Sequence, residues 1–369
     1  MYETTREFKN QIMDESERCR DSIELEDKTD AMYHGDQLPP DVKITIEERG
    51  QPEQWENNMK KVGAKIQGYM RNRNTEVKVK ERKRKDKPKA VILQEIMRYI
   101  ANHSEYQSEK ADSELELQNK GRAIQAVFVK ERKDRIDEEG NTYKDVFLKN
   151  IPSENCILDS YANEKDYSDG NYLHILNYVL KDDLYMFFDE EQVDKINTTS
   201  NWTQENRYDR EHTSTTREEV LLCESWYRLY DRKKRKMVYY FCYWVDDVIL
   251  LQDESPYDFE GYPYAVSYVT KNKKTGAWSG LFKDIIPIQD SINYAKLRLY
   301  NILGNVKLLL GPDAVEDVEE FREEYNEDDA TVEVNDPNKI REISQNAKIN
   351  SLLLVIRDGR EQIKELIGA

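Results

Sequence analysis

Residues Leu281–Gly304 read LFKDIIPIQDSINYAKLRLYNILG. Apolar residues fall at Leu281, Ile285, Ile288, Ile292, Ala295, Leu299 and Ile302, in steps of four, three, four, three, four and three. That spacing keeps one apolar seam along a helix and suits packing against other helices. Asp284 is placed to N-cap the helix, Pro287 falls in its first turn, and Gly304 supplies a left-handed stop. Taken alone, the stretch also fits an ordinary core helix of a globular domain. A second seam follows through Ile349, Leu352, Ile356, Ile363 and Leu366, with Gly359 at the remaining position. Two such helices flanking the compact acidic segment Leu308–Ser344 make a stalk with a tip.

The tip has its own pattern. Asp313–Tyr325, DAVEDVEEFREEY, predicts a helix with acids at its start and a narrow apolar stripe of Val315, Val318 and Phe321. Thr331–Val334 and Ile340–Ile343 predict two strands joined at Asn335–Asn338. Between Asp313 and Asp336 only Arg322 is basic. A module this acidic either docks basic partners or forms a wall that must not hold phosphate; a solvated insertion is the plain alternative.

The 369 residues allow two or three domains. The formal net charge is −17 and 35% of residues are charged, which suits a solvated surface or subunits that cover one another. It excludes tight passive wrapping of nucleic acid, which needs many Lys and Arg on phosphate, but not a duplex that must slide. Cys19, Cys156, Cys223 and Cys242 are far apart and read as reduced, mostly buried thiols. No secretory h-region opens the chain and no apolar run reaches membrane-spanning length.

Residues 1–30 are polar and read as an arm helix or a mobile terminus. Helices are expected near Pro40, over Trp55–Arg73, over Ala90–Ser104 and over Glu109–Lys120, stopping at Gly121. Thr75–Lys80 alternates as a strand, and the basic run Glu81–Lys89 reads as a solvated linker or a phosphate-facing patch. From Arg122 the period shortens to two. A hairpin turning at Glu138–Asn141 is expected, then an irregular strand to Asp159 and a strand over Tyr172–Leu180. Short helices over Asp182–Phe188 and Glu190–Ile196, a polar loop over Thr198–Arg217, and strands over Val220–Tyr230, Met237–Val245, Val248–Leu251 and Tyr262–Thr270 follow. The class is α+β with mostly antiparallel pairing.

Catalytic signatures are missing. Neither GxGxxG nor GxxxxGK[ST], neither GxSxG nor HExxH occurs. His34 reads as structural in a turn, and His174 as a packing residue within a strand. Asp182-Asp183 and Asp246-Asp247 are weak metal candidates against a background of solvated carboxylates. Tyr239–Trp244, YYFCYW, could stack bases but reads equally as a strand with two covered faces. No cofactor is expected.

Five segments in order carry a resemblance. Met32-Tyr33-His34-Gly35-Asp36-Gln37, Gly68–Asn74, Glu224-Ser225-Trp226-Tyr227-Arg228, Tyr262-Pro263-Tyr264 and Gln289-Asp290-Ser291-Ile292-Asn293 are similar to segments of one subfamily of portal proteins from tailed double-stranded DNA bacteriophages. The resemblance implies an N-terminal arm (1–30), a mixed helical and antiparallel-sheet wing (31–280), a first stem helix (281–304), a small α/β clip (305–347) and a second stem helix (348–369). It implies a non-enzymatic, ring-forming virion component, typically a dodecamer, at the capsid vertex through which DNA is packaged and ejected. Its partners would be copies of itself, the terminase large subunit, the head–tail connector, scaffold and major capsid protein, and double-stranded DNA in transit, with no membrane; assembly would take place in the host cytoplasm. Glu316, Glu319, Glu320, Glu323 and Glu324 are then the expected docking residues of the clip. Lys296, Arg298 and Lys307 would face the channel or a neighbouring subunit, with simple solvent exposure as the alternative.

In that family a tunnel loop, a long kinked helix and often a crown follow the second stem helix, whereas this sequence ends at Ala369, so the crown region is expected to be absent. A soluble acidic interaction scaffold and a carboxylate-dependent, metal-assisted nuclease are the alternative functions. The first would capture a basic partner without any viral role, and the second would cleave DNA with Mg²⁺ or Mn²⁺.

Overall fold

The structure is a computed structural model and describes residues 1–73, 78–136, 142–164, 167–197, 218–303, 307–325 and 333–368. The first half of the expected Thr75–Lys80 strand, the expected hairpin turn and Thr198–Arg217 loop, Gly304 and the start of the expected Thr331–Val334 strand lie outside the described residues, and residues 78–80, the described half of the first, are not in a strand. The chain divides into two compact units, Met1–Ala31 with Lys61–Lys283, and Met32–Lys60 with Asp284–Ala369.

The first unit is built on antiparallel sheets. Strands β1 (Arg122–Ile136) and β2 (Thr142–Ile151) form the expected hairpin, and β3 (Cys156–Leu158), β4 (Tyr172–Leu180), β5 (Glu219–Asp231), β6 (Lys236–Val245) and β7 (Val248–Glu254) form a five-stranded sheet in sequence order. β8 (Tyr264–Tyr268) adds to the free edge of β1, and β9 (Thr270–Lys271) pairs with β10 (Trp278–Ser279). The two larger sheets share a core in which Ile124 and Val266 meet Leu158, Leu173, Ile175 and Trp226. On the other face of the five-stranded sheet, Phe8 and Ile12 of helix α1 (Arg6–Arg18) pack against Tyr227, Cys242 and Trp244. The polar N-terminus is therefore a docked helix and not a mobile tail, because two large apolar side chains one turn apart suffice to bury it. Lys9 of α1 pairs with Asp246 at 2.5 Å and Asp247 at 2.9 Å, which gives those carboxylates a structural partner.

The aromatic strand reads correctly: Tyr240, Cys242 and Trp244 fill one core while Tyr239 and Phe241 face the other. His174 is fully buried; its Nδ1 lies 2.8 Å from Ser225 Oγ, and burial lowers its pKa to about 3, so the ring packs as a neutral group. All four cysteines are free and buried.

Helices α3 (Pro40–Glu48), α4 (Asn58–Asn72), α5 (Lys87–His103) and α6 (Tyr106–Asn119) match the sequence reading closely, whereas α2 (Arg20–His34) is a second N-terminal helix that runs past the arm into the segment expected to turn. His34 closes α2 instead of lying in a turn. The last three residues of the basic run, 87–89, enter α5, with Pro88 in its first turn, where a missing N–H is harmless. Gly121 ends α6 with φ +89°, and a Cβ there would lie 2.3 Å from the carbonyl carbon of Ser279. Next to it Arg122 is buried over the Trp278 ring at 4.2 Å, with Nη2 donating to Ser153 O at 2.8 Å and to Glu26 Oε2 at 3.4 Å. Short helices α7 (Lys181–Leu184) and α8 (Glu190–Asp194) close one end of the five-stranded sheet through Leu184 and Val193.

The second unit holds α3, the long helix α9 (Phe282–Leu303, most of which lies in this unit), β11 (Leu308–Leu310), α10 (Val318–Tyr325), β12 (Ile340–Glu342) and α11 (Asn346–Leu366).

Candidate functional site: a helix pair and its acidic module

The seam of α9 is buried where expected: Ile285 and Ile292 are fully covered and Ala295 is 1% exposed. Two details of its start differ. The helix begins at Phe282, so Asp284 is its third residue and not its N-cap, and Pro287 lies inside it. Pro287 has no N–H to offer the carbonyl of Lys283, one turn back. Its own carbonyl accepts from Ser291 Oγ at 2.9 Å.

Beside the seam runs a buried row that apolar periodicity does not reveal: Ile286, Gln289 and Asn293. Two amides tolerate burial there because their hydrogen-bonding groups find partners. Gln289 Oε1 accepts from the Asn58 backbone N–H at 3.3 Å and from Asn58 Nδ2 at 3.1 Å, while its Nε2 donates to Glu56 O and to Asn293 Oδ1. Asn293 Oδ1 also accepts from the Glu56 N–H at 3.1 Å, and its Nδ2 donates to Gln37 Oε1 at 2.9 Å. Gln37 in turn donates to Met32 O. The Gly-Asp-Gln segment and the Gln-x-x-Ile-Asn helix, 256 residues apart, thus touch through their amides. Gly35 makes the turn that delivers Gln37, with φ +118°.

Just outside this amide lock, Glu56 gathers two cations. Lys296 Nζ lies 3.1 Å from Glu56 Oε2 and Arg360 Nη2 2.5 Å from the same oxygen, with Arg360 Nε 3.1 Å from Oε1. The Glu56 side chain is only 9% exposed, so this fork is stronger than a surface pair. Lys296 is on α9 and Arg360 on α11, and the carboxylate ties the two helices together. One residue before Arg360, the helices meet closely. A Cβ at Gly359 would lie 2.8 Å from Ile292 Cγ1, 3.0 Å from Ile292 Cδ1 and 3.4 Å from Ile288 Cγ2. Ile356 and Ile363 are buried on the same face of α11, whereas Leu366 is 41% exposed.

Toward the other end of α9 a cleft of about 440 Å³ opens beside α3. Val42, Ile46, Leu297 and Ile302 supply apolar lining, and Arg49, Arg298, Lys307 and Lys348 supply charge, with Asp41 the single carboxylate of the lining. Arg298 Nη1 donates to Tyr294 Oη at 2.8 Å on its own helix. The three expected cations therefore part company: Lys296 belongs to the Glu56 clamp, while Arg298 and Lys307 share the cleft.

The acidic module departs from the sequence reading in two ways. Its helix is shorter, starting at Val318, because Asp317 breaks and caps it: Asp317 Oδ1 accepts from the Glu319 N–H at 2.7 Å and the Glu320 N–H at 3.3 Å. Asp313 upstream sits at φ +62°, a left-handed turn residue that Asp tolerates. Of the expected docking residues, Glu316 lies in the turn before the helix, Glu319 and Glu320 are exposed on its first turn, and Glu323 and Glu324 continue its backbone. Of the expected stripe Phe321 is buried, Val315 is half-buried and Val318 is 58% exposed, and Tyr325 beyond it is 40% exposed.

The second departure concerns pairing. Among the described residues the Ile340–Glu342 strand pairs antiparallel with Leu308–Leu310, and Glu333 and Val334, the described part of the expected Thr331–Val334 strand, are not in a strand. The ladder extends at both ends through Ile343 N–H to Lys307 O at 2.8 Å and Gly311 N–H to Lys339 O at 2.9 Å. A strand partner is fixed by which backbone edge comes near, and here the two ends of the excursion meet at its neck. Glu56, Arg360, Arg49 and Lys348 escaped the sequence reading, since nothing in their local pattern marks a charged residue as paired across the fold.

Among the described residues no three His, Cys, Asp or Glu side chains converge as a metal cage, and no helix is long and apolar enough to cross a membrane. A family model for phage P22-like portal proteins matches residues 9–369. A portal protein of Helicobacter pylori bacteriophage KHP30 is 25% identical over 343 residues, covering 91% of this chain. This chain spans about half, 53%, of that relative's length. The match runs through the helix pair, the amide lock and the acidic module alike, and the chain belongs to the phage P22-like portal protein family.

Proposed function

We propose that this chain is the ring-forming structural component of a phage capsid vertex, through which double-stranded DNA is packaged and later ejected. Residues 31–280 are its wing, 281–304 the first stem helix, 305–347 the clip and 348–369 the second stem helix. Copies stand side by side as a ring, with a dodecamer as the family's expected number, and the clip docks the terminase large subunit and then the head–tail connector. Scaffold and major capsid protein surround the ring during assembly in the host cytoplasm. The role asks for no catalysis by this chain.

One observation carries this reading: two long helices in close contact at Gly359, clamped through Glu56, with an acidic module closed at its neck by the β11–β12 pair. A chain of net charge −17 holds duplex weakly, which lets DNA move through a conduit without sticking. Exposed Glu319 and Glu320 on a short helix suit partners that exchange and are recognised partly by charge. Native mass spectrometry and negative-stain imaging of the purified chain, together with whatever follows Ala369 in its reading frame, test it. Closed rings near twelve copies are the expected result; a strict monomer at high concentration overturns it.

A further inference from the structure

We infer that the cleft between α3 and the C-terminal half of α9 receives the acidic helix α10 of a second copy of this chain. The inference rests on the ring reading above and adds to it a specific contact between neighbours.

The argument starts from the cleft. In a chain with seventeen more acids than bases, four cations line one cavity of about 440 Å³ against a single carboxylate. A purely phosphate-binding site would be polar throughout. This one has an apolar floor of Val42, Leu297 and Ile302, so its occupant must offer apolar side chains flanked by negative charge.

Helix α10 has that make-up. Val318 and Tyr325 stand seven residues apart, two turns along one helical face, and both are exposed, while Glu319 and Glu320 are exposed beside them. Phe321 between them is buried within its own copy and anchors the helix, with its ring stacked on Tyr325 at 5.5 Å. The cleft and these two apolar side chains are open at the same time in one chain, so the chain does not fill its own cleft. A second copy does so with complementary charge, and the contact is head-to-tail: cleft of one copy, helix of the next. Repeated contacts of that kind close into a ring when the rotation is right.

Mixing two single-cysteine variants tests this directly. Thr45→Cys places a thiol in the cleft and Val318→Cys places one on α10. The four native cysteines are buried and free, and burial pushes the Cys19 thiol up to about 11 and that of Cys242 up to about 12, so they stay silent. Under mild oxidation the mixture should give a cross-linked dimer that neither variant gives alone. Arg298→Glu with Lys307→Glu should weaken assembly at least tenfold, and adding Glu319→Lys with Glu320→Lys should restore it. Rings that form without the mixed cross-link, or that ignore the charge reversal, overturn the inference and leave the ring reading standing. Charge reversal that alters duplex binding but not assembly assigns the cleft to phosphate and also overturns it. A chain that stays monomeric removes both.

Discussion

Gly359 shows how one missing side chain sets a helix contact. A Cβ would press on Ile292, a fully buried residue with little room to move. Gly359→Ala gains about 1 kcal/mol of helix propensity and loses about 1–3 kcal/mol to overpacking, so urea melts should show a net loss. Pairing it with Ile292→Val should recover part of that loss; a Gly359→Ala chain more stable than its parent would refute the tight contact. Glu56 acts at the same scale. Glu56→Gln keeps the shape and removes the charge held by Lys296 and Arg360, and should cost about 1 kcal/mol, less in high salt. In the first unit, burial raises the pKa of Glu116 to about 7, against the opposing pull of Lys120 and of the hydrogen bond from Asn150. Its folded pKa lies above its unfolded value near 4.5, so the folded state holds the extra proton between those values. The contribution of Glu116 to stability is therefore fully present below the unfolded pKa and is lost as pH rises toward 7. Glu116→Gln should gain on the parent by about 3 kcal/mol at pH 8 and show little gain at pH 4.5, read from melting at both pH values. His174 runs the opposite way, losing stability as pH falls below about 6.5, but it is common to both proteins and cancels in the difference.

At the scale of elements, the acidic module is a short helix whose start is fixed by one carboxylate. Asp317→Ala should cost the module about 1 kcal/mol and lower helix content there, whereas Asp317→Ser should be nearly neutral. Hydrogen exchange at Glu319 and Glu320 reads this out locally; unchanged protection would remove the cap. The neck strands are a second element-level device. Three residues on each side, extended by one hydrogen bond at each end, hold the excursion closed between the two long helices. The strand at Ile340 is legible in the sequence, but its pairing with Leu308–Leu310 across the neck is not. Thr331–Val334 has the better β-propensity, but propensity does not know that the ends of the excursion are brought together by the helices that flank it.

For the whole molecule, net charge governs behaviour toward nucleic acid. At physiological salt the chain should fail to retard a linear duplex in gel-shift assays, and the little binding seen at low salt should have a shallow salt dependence. Retention at physiological salt would contradict a sliding conduit. Much of this was legible in the residues. Helical seams at 281–302 and 349–366, the alternating strands from Arg122 to Tyr268, the turn glycine at 121 and the acidic character of 313–325 are local patterns, set by the 3.6 and 2.0 periods of the backbone and by side-chain charge. Tertiary structure alone decided how these parts engage. It docked the polar N-terminus by Phe8 and Ile12, buried Gln289 and Asn293 against Gln37 and Asn58, and turned Glu56, Lys296 and Arg360 into one clamp. A buried amide or carboxylate is stable only when distant groups complete its hydrogen bonds, and no local period records a partner some 230–300 residues away.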